Sequence, residues 1–337
     1  MNPILITGAF GFVGRHLITR LLRESSQHKV VAAALPSELQ AAAEWTSALS
    51  PAAQRRLAWQ ALDINNPEMV RAVLVTSKPG AIVHLAARAS GADPDREAVH
   101  RTNVVAVGTL LQEVRRTSDH LGSPVKTLLI STGYAYGSSS IDRPSVESDP
   151  LEYGRYGPYT DSKIEMERVA AEFADIVVIA RSFSHTGPEQ TPVFAVPSFA
   201  RQIAMIERGA LERDISVGNL DPLRDMLDVR DVVRAYELLI EHGALGETYN
   251  VSSSQPLSMR DILDRLRSMS SVPTTVSSDP ERFRPADIGC STGSYEKLQT
   301  ATGWQPAYDI NTTLADTLRW WQSSLDIPDP AKGIPAS

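Results

Sequence analysis

The stretch that most constrains this chain is Ile4-Leu-Ile-Thr-Gly-Ala-Phe-Gly-Phe-Val-Gly14, an apolar strand that breaks into glycines spaced three by three. An amphipathic helical pattern follows it, through Val13–Leu22. Gly8 lets the strand turn sharply, Gly11 lets the backbone approach a pyrophosphate, and Gly14 lets the helix pack tightly on the strand. N–H groups at the helix start then point at phosphates. Three glycines alone recur by chance; the strand before and the helix after supply the context that implies a bound dinucleotide. Gly8, Phe10, Gly11, Phe12, Val13 and Gly14 are the candidate contacts of this turn.

Short apolar runs alternate with helical patterns through the first half. Ile4–Ile6, Val30–Ala34, Leu57–Leu62, Ala81–Leu85, Thr127–Ser131 and Ile176–Ala180 read as buried strands; Met69–Val75, Ala98–Val114 and Lys163–Phe173 read as helices between them. Such alternation predicts an α/β fold, a Rossmann-type doubly wound parallel sheet covered on both faces, with ligands at the carboxyl ends of the strands. After Arg181 prolines punctuate shorter elements, which predicts a smaller C-terminal lobe. The expected division is 1–180 plus about 225–252 for the dinucleotide domain, with 181–224 and 253–337 for the lobe; helix Val229–Glu241 and strand Tyr249–Val251 return to the first unit. The tail from Ile327 is expected to be poorly ordered.

A net charge of −7, with no Lys/Arg run to offset it, argues against nucleic acid or an anionic membrane as partner. No apolar run approaches a membrane span, and no signal-peptide pattern opens the chain, so the expected location is the cytoplasm. The single cysteine, Cys290, rules out an internal disulfide and a multi-cysteine zinc site, and no metal is expected.

Three further strand ends carry candidate contacts. Asp63 and Ile64 close the third strand, where the carboxylate can accept from an adenine amino group or simply cap a turn. Leu85, Ala86 and Ala87 follow His84, and the small Ala86 and Ala87 let the chain pass close to a cofactor; His84 itself reads as a satisfied core histidine. After the second strand the chain reads Val31-Ala-Ala-Ala-Leu-Pro-Ser37, with no acid before Glu38 to hold ribose hydroxyls. This leaves NADP or NAD as cofactor, with NADP or dual use preferred. Arg15 is either a 2′-phosphate contact or a solvated helix residue.

Tyr159-Thr-Asp-Ser-Lys163 places a phenol and an ammonium on one helix face. A free phenol has a pKa near ~10 and needs a nearby cation to exchange protons at neutral pH. Lys163 is expected to lower Tyr159, which then acts as general acid or base on a substrate oxygen. Ser131-Thr132, at the end of the fifth strand, offers a hydroxyl to that oxygen.

With these motifs in place, the chain resembles the extended short-chain dehydrogenase/reductase superfamily, in its nucleotide-sugar branch. Asn103-Val-x-x-x-Gly108-Thr, Arg181-Ser-Phe-Ser-His-Thr-Gly-Pro188, Gly218-Asn-Leu, Arg224-Asp-Met-Leu-Asp228-Val-Arg-Asp231, Tyr249-Asn-Val and Arg284-Pro285 extend the resemblance to about residue 325. It implies Thr132, Tyr159 and Lys163 as catalytic residues, with Tyr159 and Lys163 also in contact with the cofactor, Lys163 on the nicotinamide ribose, and with Asn103 bending its helix and positioning a water. It also implies Arg224 and Arg284 on the nucleotide diphosphate, with Asn219 and Arg201 as further contacts. Tyr134 and Ser184 are expected at the sugar; Ser184 stands where the family carries Asn.

The Gly218-Asn-Leu and Arg224-Asp pair is similar to the GDP-sugar enzymes. No carboxylate follows Thr132 in Gly133-Tyr-Ala135, which argues against 4,6-dehydration and for hydride transfer at C4. The resemblance thus implies reduction of a nucleotide-activated 4-keto-6-deoxyhexose, GDP-4-keto-6-deoxymannose to GDP-D-rhamnose, by a homodimer joined through helices 98–117 and 159–174. A 4-epimerase that retains NAD uses the same three residues and stays open, as does a non-catalytic dinucleotide sensor.

Overall fold

A computed structural model describes residues 2–23, 26–89, 95–283 and 288–324. Its centre is a sheet of seven strands: β1 (Ile4–Thr7), β2 (Val30–Ala34), β3 (Leu57–Ala61), β4 (Ala81–His84), β5 (Lys126–Thr132), β6 (Val177–Ser182) and β7 (Thr248–Val251). Their order is β3-β2-β1-β4-β5-β6-β7, and every neighbouring pair is parallel. The chain reverses direction across the sheet between β1 and β4, where open α/β sheets bind ligands. β3 departs from the expected buried strand: it is the sheet edge, its residues are half-buried or exposed, and Trp59 packs edge-on against Trp45.

The helices follow the sequence periodicity. In α1 (Phe12–Leu21) the buried residues are Gly14, Leu17, Ile18 and Leu21, one stripe at helical spacing. α2 (Pro67–Ser77) begins with Asn66 accepting from the N–H groups of Glu68 and Met69. The expected helix at 98–114 extends from Arg96 to Leu121 and contains a π-helical turn at Arg101–Val105 before α3 (Ala106–Leu121). Gly157 and Pro158 start α4 (Pro158–Ala170); Gly157 sits at φ +94, a conformation that glycine adopts without strain.

Beyond the sheet, α5 (Ala195–Glu207), α7 (Met259–Ser268) and α8 (Ile310–Ser324) gather a separate apolar core around Phe199, Ile203, Ile262, Leu263 and Leu318. α6 (Val229–His242) packs on α1 within the sheet's own core. One boundary needs correction. Leu298 and Trp304, expected in the smaller lobe, are buried in the sheet-side core with Tyr236 and Leu239. Trp304 Nε1 donates to the Asp231 carbonyl of α6 at 3.0 Å, which holds this segment there. The tail from Ile327 lies outside the described residues. Among the described residues no helix is long and apolar enough to cross a membrane.

Candidate active site

Thr7, His84 and Thr132 end β1, β4 and β5 on one edge of the sheet. The glycine turn is built there by main-chain contact. Gly8 has φ +63, and a Cβ on it would lie 2.7 Å from the Ala86 nitrogen, so the turn rests directly on the Leu85–Ala86 backbone. A Cβ on Gly14 would lie 2.3 Å from the Ala9 carbonyl oxygen. At Gly11 it would meet only the Gly8 oxygen, at 3.2 Å, which leaves its outer side open. α1 starts at Gly11 with no side-chain cap and no acid in its first turn. Its uncapped N–H groups and the dipole suit an anion, so these residues fit a dinucleotide pyrophosphate.

The aromatic residues of the turn have their own partners. Phe12 stacks on His185 with centroids 6.3 Å apart, Phe10 meets Trp59 edge-on at 6.1 Å, and Val13 packs against the core. Arg15 is anchored within the protein. It pairs with Glu189 at 2.8 Å and donates to the Phe10 carbonyl at 2.6 Å, spanning from α1 to the chain after β6. Asp63 Oδ1 accepts from the N–H and amide of Asn65, closing a turn, while Ile64 is buried. Ala87 is half-buried. Glu38, the first acid after β2, is folded back as acceptor for the Leu35 N–H at 2.9 Å.

The Gly157-Pro158 start puts Tyr159 in the first turn of α4 and Lys163 one turn on. Lys163 Nζ donates to the Ile130 carbonyl at 2.8 Å and lies 5.9 Å from the Tyr159 ring centre. Thr132 Oγ1 accepts from the Tyr134 N–H at 3.2 Å. Ser131 alternates to the other face of β5 and its hydroxyl is engaged with Glu167, which leaves Thr132 as the candidate hydroxyl. Burial pushes the Tyr159 phenol up to about 12, with Tyr134 adding to the effect. Burial also draws Lys163 down to about 8. In the ligand-free protein burial is the larger influence on Tyr159, and the Lys163 ammonium is turned toward the Ile130 carbonyl.

Asn103 lies in the π-helical turn, as helix bending requires, but its amide is committed to protein. Its Oδ1 accepts from the Arg88 N–H at 2.9 Å, and its Nδ2 donates to the Arg88 carbonyl and the Ser162 hydroxyl. It ties the loop after β4 to α4. His84 is buried and held neutral, drawn down to about 3 by burial and by Lys163. It is only half satisfied: Nδ1 pairs with Thr7 Oγ1 at 2.8 Å, and Nε2 has no hydrogen-bond partner among the described residues.

Of the residues expected at the substrate, the structure brings together Tyr134, Ser184 and Arg224. The Tyr134 and Ser184 hydroxyls are 3.1 Å apart, and the Arg224 guanidinium lies 5.7 Å from the Tyr134 ring centre. Arg224 is buried and donates to the carbonyls of Leu223 and Ile288. Two further expected contacts have protein neighbours of their own. Arg201 packs over Trp321 in the separate core, and Asn219 accepts from the Asp221 N–H, closing a turn. Arg284 lies outside the described residues.

The sequence reading missed what the aspartates of 224–231 do. Asp225 is fully buried and accepts from Ser253, Ser254, Thr292 and Gly293. Asp228 caps α6 and accepts from Thr313; Asp231 accepts from the N–H groups of Ala307 and Tyr308. The acids thus clamp the strand that carries Arg224. Their spacing in the motif was visible, but their donors are remote in sequence.

A sheet with its switch point beside Gly8, and a Tyr-x-x-x-Lys helix over the same edge, is the architecture of the extended short-chain dehydrogenase/reductases. Comparison with known proteins narrows this: the chain belongs to the GDP-mannose 4,6 dehydratase family, whose model matches residues 5–317. It is an enzyme of the extended short-chain dehydrogenase/reductase type. It is 30% identical to the GDP-6-deoxy-D-mannose reductase of Pseudomonas aeruginosa, over 96% of this chain and 98% of that one. It is 26% identical to the GDP-6-deoxy-D-talose 4-dehydrogenase of Aggregatibacter actinomycetemcomitans, over 89% and 91%. The solved structure of RMD from Pseudomonas aeruginosa, complexed with NADPH, matches with a TM-score of 0.77 and 28% identity, over 96% of this chain and 100% of that one.

Proposed function

We propose that this protein reduces the C4 ketone of a nucleotide-activated 4-keto-6-deoxyhexose, GDP-4-keto-6-deoxy-D-mannose to GDP-D-rhamnose, with NADPH or NADH. The observation that carries the reading is the Thr132–Tyr159–Lys163 set at the sheet edge beside the glycine turn, followed by Gly133-Tyr-Ala-Tyr136 with no carboxylate. The family takes its name from a dehydratase, but that turn offers no acid to remove the C5 proton.

The cofactor supplies a hydride to C4 when bound. The glycine turn and the start of α1 hold its pyrophosphate, and Leu85–Ala87 line its path. Tyr159, kept protonated by burial, gives its proton to the C4 oxygen, which Thr132 holds by a hydrogen bond. The phenolate left behind draws on Lys163 as its counter-charge. Tyr134 and Ser184 contact the sugar, and Arg224 braces Tyr134 beside the diphosphate. With no acid available after β2, NADP or dual use is favoured. The outer faces of the helices at 98–117 and 159–174 form the contact of a homodimer, with Val105 exposed in the π-helical turn ahead of α3.

The test is direct. Purified protein with GDP-4-keto-6-deoxymannose should oxidise NADPH one for one and yield GDP-D-rhamnose. Absence of cofactor consumption, with NAD released on denaturing the protein, would replace this reading with a 4-epimerase.

A further inference from the structure

The helix face that bears Tyr159 and Lys163 continues one turn further to Glu167. Its carboxylate is buried against the guanidinium of Arg181 on β6, with Nη2 to Oε2 at 2.7 Å and Nε to Oε1 at 3.0 Å. It also accepts from the hydroxyl of Ser131, the residue before Thr132. Arg181 donates onward to the Tyr136 hydroxyl at 2.7 Å and the Glu147 carbonyl at 3.0 Å, and Tyr136 donates to Asn250 Oδ1 on β7 at 2.7 Å. One ion pair therefore joins α4, β5, β6, β7 and the turn that follows Thr132.

A buried ion pair is poor value as a stabiliser, because desolvating two charges offsets their attraction. The pair also lies one helical turn from Lys163 and bonds the residue before Thr132, which sets it against the reacting centre. We propose that Glu167 and Arg181 are a positioning pair for that centre: Glu167 supports the positive charge of Lys163 one turn away, and Arg181 limits how strongly it does so. The inference rests on the reading of Tyr159 and Lys163 as the reacting pair.

The surroundings of Lys163 leave this role to Glu167. From its own helix Lys163 faces Tyr159 and Glu167, from β5 the Ile130 carbonyl, and from β4 His84. Tyr134 faces Tyr159 from the turn after β5, and Arg181 faces Glu167 from β6. His84 is neutral, and burial is what pulls Lys163 down; Glu167 is the group that raises it.

The two members of the pair should therefore act in opposite directions. Removing the carboxylate in Glu167→Gln lowers the pH at which Lys163 loses its proton. Removing the guanidinium in Arg181→Gln frees the carboxylate and raises that pH. Each shift is expected to be about one pH unit, at the lower end for an opposite charge at close range. The Glu167→Gln/Arg181→Gln double variant, neutral on both sides, should return near the parent.

Lysine NMR on the ligand-free protein reads this directly, with the Lys163 signal assigned by its loss in Lys163→Met. The alkaline limb of the turnover profile should move with it. Opposite shifts support the proposal; shifts in one direction, or unshifted titrations with only a lower Tm, make the pair merely structural and overturn it. If one single variant does not fold, the other and the double variant carry the same comparison. A parent that shows no turnover on the keto-sugar refutes the substrate reading, while the NMR titrations still decide the role of the pair.

Discussion

At the Gly8–Gly14 turn the decisive contacts run between main-chain atoms, whereas around Tyr134 they run between the tips of side chains. The first region is defined by where no Cβ can stand: on Gly8 against Ala86, and on Gly14 against Ala9. The second is defined by partners drawn from separate stretches, with Ser184 after β6 and Arg224 held through Leu223 and Ile288. A backbone cradle tolerates little change and recognises what its ligands share. A side-chain cluster can change one member at a time, which suits the part of a site that tells one sugar from another.

The sharpest break of this comparison is Tyr159→Phe. It should cut turnover about 10²- to 10⁴-fold, the usual worth of a general acid, and leave the dinucleotide Kd unchanged. A matching loss of cofactor affinity, read by fluorescence quenching, would show that the two regions are not separable. Next, Gly14→Ala forces a methyl against the Ala9 carbonyl and should cost about 3 kcal/mol, the upper range for overpacking. Thermal unfolding with and without cofactor would record it; an unchanged Tm would mean that the turn gives more easily than its contacts imply.

Lys163→Met tests what the reacting centre costs the fold. Burial lowers Lys163 from 10.5 to about 8, so the unfolded chain binds this proton more tightly than the folded one. The group's contribution to stability is fully present above 10.5 and is lost as pH falls toward 8. At pH 7 the penalty amounts to about 3 kcal/mol, part of which returns when the Ile130 carbonyl loses its donor. The ligand-free variant should therefore unfold at higher temperature than the parent at pH 7, with the gap closing by pH 10.5, and should be inactive. A variant less stable than the parent at pH 7 would show that Lys163 is not a burden on the fold. The smallest expected effect is Ser184→Ala, which removes one hydroxyl from Tyr134 and should raise the KM for the keto-sugar roughly fivefold, about 1 kcal/mol, with kcat little changed.

The same contrast explains what could be read from the sequence. Strands β1, β2 and β4 are continuous apolar runs, and they sit where the pattern put them. Tyr159 and Lys163 were legible because a helix start and a four-residue spacing are local facts. Edge strand β3 was misjudged because burial depends on neighbours that the strand itself does not encode. Arg201 and Asn219 were named by type and motif, while their neighbours Trp321 and Asp221 are facts of the fold that a motif does not encode. Glu167 shared the helix spacing of Lys163; its role was hidden because Arg181 comes from a different strand. Asp225 was hidden for the same reason, its donors coming from 253–254 and 292–293.

The strand order has one more consequence, for the moment of synthesis. β6 pairs with β5 on one side and with β7 on the other, yet residues 183–247 are made between β6 and β7. At about 5–20 residues per second, the ribosome takes roughly 3–13 s to deliver that partner. Throughout this interval Val177-Val-Ile-Ala180 stands as an uncovered edge, able to pair with another nascent chain. Any fragment that stops short of Thr248 keeps that edge permanently, and aggregation of such fragments is the outcome the topology dictates.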